Sequence, residues 1–375
     1  MEGLGKRRET PQVKLEIPLR IPVSSRLISL PVKKVIEPNP AKIAHALEAW
    51  FAVSGRDYPW RRTTDPYAIL VSEMMLQQTQ ITTVLDRGYY ARWMERFPNT
   101  ATLAVADEAE VLRVWEGLGY YRRARFLQQM AKQVEGEHGG VFPTTLEGVR
   151  ALPGVGDYTA GAVCSFAHDA AAPIVDGNVA RVLSRVWDDA TPVDSREGMA
   201  RLWTRSRALV EAAKSPRVFN SALMELGQTI CRVSAPNCDA CPVQPHCLTR
   251  EPASLPVKSK QTVITAVTER VYFQTGPQGV LLQQESGQRR TGLWKLPELP
   301  AEAKQQPPVL HRSKYTITRY KVDLWVHAPP EKAEAAAAAG LQWIPLASLD
   351  ALPMPSPYRK ALNAVLAQQD FQLEG

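Results

Sequence analysis

"LPGVGDYTAG", Leu152 to Gly161, sets two glycines around a valine just before an aspartate, a tyrosine and a threonine. Glycine belongs where the backbone takes positive φ or lies very close to another group. Upstream, "TTLEGVRAL" carries Thr144 with Glu147 three residues on, a capping-box pattern, so a helix is expected to start at Thr144 and stop at Leu152-Pro153. Downstream, "YTAGAVCSFA" predicts a second helix. Gly154, Val155 and Gly156 then form the turn of a helix pair whose second helix offers unpaired N–H groups, a ready site for a DNA phosphate. A plain tight connection would use the same residues.

Bulk properties set the frame. The chain has 375 residues, more than the roughly 250–300 at which a single core stops growing, so two domains are expected. No apolar run approaches the ~20 residues of a membrane helix, and the N-terminus lacks a secretory apolar block, which predicts a cytoplasmic protein. The net charge of +7 favours a polyanionic partner, though a basic surface with no partner would give the same sum.

Residues 1–40 are rich in proline, lysine and arginine without sustained period and predict a basic flexible tail. A mitochondrial presequence has similar arginines and serines, but Glu2, Glu9 and Glu16 count against one. Residues 41–250 are helical in pattern, with Ile43, Leu47, Trp50 and Phe51 in one segment and Val179, Val182, Leu183 and Val186 in another. Pro252, Pro256 and several lysines mark 251–264 as a linker. Over 265–375 the period shortens to strands in "ERVYFQT", "GVLLQQES" and "YKVDLWV", and "EKAEAAAAAG" and "SPYRKALNAVLAQQ" predict helices, giving a smaller α+β domain.

Two carboxylates invite chemistry. Asp65 and Pro66 open a helix in which Glu73 is the only charged residue before Asp86. It sits either on a wet face or in a poorly hydrated pocket that would raise its pKa and make it a proton donor. Asp176, in "IVDGNVARVLSRVW", precedes another helix, where ordinary capping would also place it. Of five cysteines, Cys231, Cys238, Cys241 and Cys247 lie together with gaps of six, two and five residues. That compact wrap suits an iron–sulfur cubane better than zinc, which prefers two separated pairs. Cys164 stands alone, as a small buried apolar residue would.

The hairpin, the two carboxylates and the cysteine spacing together resemble the helix-hairpin-helix DNA glycosylases of the endonuclease III superfamily. Members that also cut the strand hold a lysine at the position of Tyr158, and a phenol cannot form their imine. Tyrosine there is similar to the adenine glycosylase branch, the MutY family. The resemblance implies a monofunctional, monomeric base-excision enzyme, cytoplasmic and nucleoid-associated in a bacterium. Its partner would be double-stranded DNA carrying adenine mispaired with 8-oxoguanine or guanine. Glu73 would be the acid and Asp176 the stabiliser of the sugar cation, with Tyr158 and Asn178 beside the reacting sugar. The cysteines would hold a 4Fe-4S cluster in a loop at 231–247 whose basic residues, Arg232 and Arg250 nearby, meet DNA. Trp60 and Arg61 match a segment near the adenine pocket. Gln77, Gln78 and Tyr120, the last followed by Arg122, Arg123 and Arg125, match segments that enter the duplex and hold phosphates once the base is swung out.

"VLLQQESGQRRTGLWKLPELP" resembles a MutT-like (Nudix-like) domain without its glutamate-rich metal box, implying recognition without catalysis. Where that family often carries Phe-Ser-His to read oxidised guanine, this chain has Ile317-Thr318-Arg319, so Thr318 and Arg319 are the candidate readers. The fold class expected is mainly α, a helix-hairpin-helix domain followed by the smaller α+β one.

Overall fold

The computed structural model describes residues 37–260, 263–287, 290–300, 307–330 and 340–373, with side chains in the last helix up to residue 368. The expected tail over 1–36 and the alanine run over 331–339 lie outside the described residues. Residues 38–375 form one compact unit. No described helix is long and apolar enough to cross a membrane.

The helical part comprises α1 (Pro40–Ser54), α2 (Pro66–Leu76), α3 (Ile81–Asp86), α4 (Tyr89–Arg96), α5 (Thr100–Val105), α6 (Glu108–Val114), α7 (Arg122–His138), α8 (Leu146–Arg150), α9 (Asp157–His168), α10 (Gly177–Val186), α11 (Arg196–Glu211) and α12 (Pro216–Thr229). Helix starts follow side-chain chemistry. Asp65 caps α2 by accepting from Tyr67 N, with Pro66 in the first turn. The capping box expected at Thr144 does not form: Thr145 is the cap, its hydroxyl accepting from Gly148 N at 3.1 Å. Three residues beyond Thr145 stands a glycine, which has no side chain to reach back. The helix also stops early, at Arg150.

These helices build two apolar clusters. One gathers Leu70, Met74, Trp93, Trp115 and Leu127; the other gathers Leu47, Val179, Leu183, Phe219 and Leu226. Helix α9 serves both, through Ala160 and Val163 on one side and Ala162 on the other. Glu73 and Asp176 therefore come from different clusters with α9 between them.

The segment 251–260 is fastened along the helical part. Leu255 is buried and its carbonyl accepts from Arg185 Nε at 3.0 Å, while Asp194 accepts from Ser259 N and Lys260 N at 2.8 and 3.2 Å. Beyond it, β1 (Thr265–Tyr272), β5 (Val309–Ile317) and β6 (Tyr320–His327) form a sheet in the order β1-β6-β5, with β1 parallel to β6. A second sheet runs β2 (Thr275–Gly276), β3 (Gly279–Gln284), β4 (Trp294–Lys295), and β7 (Leu341–Ile344) pairs with β3. Helix α13 (Ser356–Leu373) packs Tyr358, Leu362 and Val365 on their shared core.

Leu293, in the turn before β4, is fully buried, and it belongs to the first helical cluster rather than to the cluster built by the strands around it. Beside it Arg359 pairs with Glu116 at 3.1 Å and Tyr121 OH donates to the Met354 carbonyl at 3.0 Å. The α+β part thus meets the helical part through the buried Leu293 side chain and through polar contacts of Arg359, Met354 and Thr291. Leu293→Ala should lower the unfolding free energy by about 2–5 kcal/mol, read from denaturant midpoints. A loss below about 1 kcal/mol would show that Leu293 is not a core anchor.

Candidate active site

Helix α2 is buried from Tyr67 to Met75, and Glu73 within it is only 4% exposed. The pocket reading of the sequence therefore holds over the wet-face one. Burial pushes its carboxyl up to about 7; Tyr158 opposes this by donating its hydroxyl to Oε2 at 2.8 Å, while the charge of Asp176 adds to the rise and Arg61 counters it. A carboxylic acid poised there holds a transferable proton at neutral pH. The Tyr158 phenol is driven well above its ordinary value by burial and then by Glu73 and Asp176, so it stays a hydrogen-bond donor.

Asp176 does cap α10, with Oδ1 accepting from Val179 N at 2.7 Å. Its other oxygen accepts from Asn178 Nδ2 at 3.0 Å, and Asn178 Oδ1 accepts in turn from Arg181 at 2.9 Å. Capping and the shared site are compatible, because one carboxylate has enough lone pairs for both. Helix α12 can approach this end only because residue 227 is glycine: a Cβ there would stand 2.8 Å from Asn178 Cβ.

Glu73 lines a cleft of about 490 Å³, part of it open to solvent, together with Tyr58, Trp60, Arg61, Arg217 and Met224. Trp60 stacks on Tyr58 at 5.3 Å, and the Arg61 guanidinium lies over the Tyr58 and Phe51 rings at 4.7 and 5.0 Å. Arg61 also pairs with Glu225 Oε2 at 2.5 Å. Glu225 is 1% exposed and escaped the sequence reading. The signal was there, a lone charge in the apolar run "SALMELGQT", the pattern that singled out Glu73.

At the hairpin, Gly154 has φ +75° and its missing Cβ would collide with Phe126 Cβ at 2.6 Å, while Gly156 caps α9 with no side-chain bond. Gly154 and Gly156 are exposed and Val155 half-buried, as an anion site requires. Gln77 ends α2, and both Gln78 (φ +57°) and Tyr120 (φ +47°) take left-handed backbone. Of the arginines after Tyr120, only Arg122 is exposed. Arg123 is buried against backbone carbonyls, and Arg125 pairs with Glu108 at 2.8 Å and donates to the Thr291 carbonyl. Arg123 and Arg125 are therefore not the phosphate holders that the sequence reading expected.

The four clustered cysteines follow α12 and form no disulfide. Burial pushes Cys241 up to about 11, and the other three thiols add to the shift. Arg185 donates to Cys231 Sγ at 3.3 Å, and Arg181 to the Cys231 carbonyl at 2.8 Å. Among the described residues no three His, Cys, Asp or Glu groups converge closely enough to hold a single metal ion. Arg232 and Arg250 are exposed beside them. In the α+β part, Thr318 and Arg319 form the β5–β6 turn; the Thr318 hydroxyl is turned onto the Ile317 carbonyl at 2.7 Å, and Arg319 is exposed over the Tyr320 ring at 5.2 Å.

A buried acid lining a cleft, a second carboxylate within electrostatic reach of it and a glycine turn before α9 make the arrangement expected of a helix-hairpin-helix DNA glycosylase. Residues 71–206 match the HhH-GPD superfamily of base excision DNA repair proteins. The adenine DNA glycosylase of Mycolicibacterium smegmatis is 40% identical over 206 residues, 54% of this chain and 67% of that protein. The rat adenine DNA glycosylase is 46% identical over 210 residues, 54% of this chain, which spans only 40% of that relative's length. A thermostable thymine-DNA glycosylase of known structure superimposes with a TM-score of 0.50 at 28% identity, covering 56% of this chain and 95% of that one. The chain belongs to the adenine DNA glycosylase family of this superfamily.

The raised Glu73 pKa has a consequence for stability. The folded form holds a proton up to about pH 7, whereas the unfolded carboxyl, near 4.5, has released it. The unfolded state thus binds fewer protons between those values, and stability must fall as pH rises through the window. Glu73→Gln should flatten this pH dependence and recover roughly 3 kcal/mol at the alkaline end, measured by urea unfolding across pH. An identical pH dependence in the variant would refute the buried-acid assignment.

Proposed function

We propose that the protein hydrolyses the N-glycosidic bond of adenine mispaired with 8-oxoguanine or guanine in duplex DNA, as a monomeric and monofunctional glycosylase. The observation that carries this reading is the buried Glu73 carboxyl, poised near neutrality, hydrogen-bonded to Tyr158 at 2.8 Å and within electrostatic reach of Asp176.

Adenine leaves a sugar readily only as a neutral base, so its ring must gain a proton, and the sugar left behind carries positive charge. Glu73 supplies the proton, towards N7. Oε2 is held by Tyr158, while Oε1 makes no hydrogen bond among the described residues and serves the substrate. As the bond between the sugar and N9 breaks, Asp176 faces the developing oxocarbenium ion, with Asn178 fixing its second oxygen. Glu73, now charged, accepts a proton from the water that closes the reaction. Tyr158 has no amine with which to make an imine, so strand cleavage through that position is closed. Tyr58, Trp60 and Met224 give the cleft an apolar wall and Arg61 and Arg217 give it donors, which suits a planar purine. The hairpin amides at Gly154–Gly156, with Gln77, Gln78 and Tyr120, serve the strand and the gap left by the extruded base.

The cysteine loop fits a 4Fe-4S cluster. Cys241 lies within electrostatic reach of Cys231, Cys238 and Cys247, the gathering of four sulfurs that a cubane taking one thiolate per iron requires, and Arg185 donates to the Cys231 sulfur at 3.3 Å. Cys231, Cys238, Cys241 and Cys247 would hold it. Bound there, the cluster would pin the loop beside Arg232. The α+β part, read as MutT-like, would present Thr318 and Arg319 to the base opposite adenine.

Duplexes carrying each mismatch, assayed for released adenine, guanine, thymine and uracil, test the reading: adenine alone should appear. Glu73→Gln should slow release by about 10²–10⁴-fold while duplex binding persists and weakens with salt. Undiminished release by that variant, or a borohydride-stable crosslink formed by the wild-type chain, would overturn it. Chemical analysis of the purified protein should find about four irons per chain, and zinc alone would sink the cluster assignment.

A further inference from the structure

Helix α2 and the loop before α7 both end in carbonyls without helical partners, and one side chain gathers them. Arg123, the second residue of α7, is 6% exposed. Its NH1 donates to the carbonyls of Met74, Met75 and Gln77 at 2.6, 3.0 and 2.7 Å. Its NH2 donates to those of Leu118 and Gly119 at 3.1 and 3.2 Å. The guanidinium also lies over the Trp115 ring at 5.2 Å. Two of these carbonyls sit directly before residues with left-handed backbone: Gln77 precedes Gln78 at φ +57°, and Gly119 precedes Tyr120 at φ +47°. A non-glycine residue persists in that conformation only where its surroundings over-determine it.

We propose that Arg123 is a positioning residue whose guanidinium staples the Gln77-Gln78 and Gly119-Tyr120 loops into one rigid wedge for a DNA duplex. The inference rests on the DNA glycosylase reading above. Two loops that must fill the space of an extruded nucleotide do so at lower entropic cost when their separation is fixed beforehand. A planar fork reaches carbonyls on two sides at once, whereas a lysine ammonium is a point donor with three hydrogens. The cation also lies at the C-terminal end of α2, where the helix dipole favours positive charge. Glu73 is one residue before the first stapled carbonyl, so the acid and the wedge are held to the same turn of backbone.

Arg123→Lys and Arg123→Met test this. Hydrogen exchange without DNA should accelerate together in peptides covering 76–80 and 117–121, with the rest of the protein unchanged. In a duplex with 2-aminopurine replacing the target adenine, the extruded fraction read by fluorescence should fall about tenfold, the effect of losing one hydrogen bond to a charged group. Affinity for unmodified duplex should stay within about twofold, because Arg123 reaches no phosphate. Unchanged exchange in either loop, or unchanged extrusion, would overturn the proposal. So would exchange rising across the whole helical part in both variants, which would mark a merely structural arginine. A wild-type chain that extruded no purine would instead sink the adenine reading and leave the exchange result to decide the staple.

Discussion

A carboxylic acid inside an apolar helix is the constraint to which the rest of the site answers. Leaving Glu73 ionised in such surroundings would cost several kcal/mol, so the group must either find a cation or keep its proton. The protein takes the second course. Arg61 is near, but Glu225 already holds it, and the partner given to Glu73 is a neutral phenol. A neutral donor can steady the carboxyl without removing the need for a proton. Had Arg61 bonded to Glu73 directly, the acid would have been converted into a spent carboxylate.

This arrangement requires two cores rather than one. Glu73 rides on α2, in the first cluster, and Asp176 opens α10, in the second. The hydroxyl that reaches Glu73 comes from α9, which packs into both. A single continuous core would bury this seam, whereas two abutting ones leave a cleft lined by both. Buried arginines fasten the backbone elsewhere in the helical part. Arg123, Arg181 and Arg185 spend their donors on carbonyls, an amide oxygen and a thiol inside the protein. Part of the net charge of +7 is therefore structural mortar and says nothing about a polyanion.

How much of this could be read in advance followed the range of the interactions involved. Asp65, Asp176 and the glycine turn are governed by neighbours within a few residues, and their roles as caps and turn were legible. Glu73 was legible because isolation among apolar residues is itself a local pattern. Glu225 shows the same pattern, but its meaning depends on Arg61, 164 residues away in the chain. Arg123 was misread for a related reason. A cation following a glycine turn resembles a phosphate contact, and only the packing of α7 against the end of α2 reveals that backbone carbonyls have claimed it. The cap falls on Thr145 rather than Thr144, two adjacent residues equally competent to cap.

The two carboxylates differ by more than position, and their environments divide the work between them. Glu73 has one hydrogen bond and apolar neighbours, which favour the neutral form and make proton donation its natural task. Asp176 has a backbone amide on one oxygen and a carboxamide on the other, at the positive end of a ten-residue helix. Helix N-termini favour negative charge, and Asp176 stands at one with both oxygens accepting hydrogen bonds. The capping role is then part of the chemistry and not a rival to it. The same amide that starts α10 holds one carboxylate oxygen, and Asn178, bonded to Arg181 and packed against Gly227, holds the other.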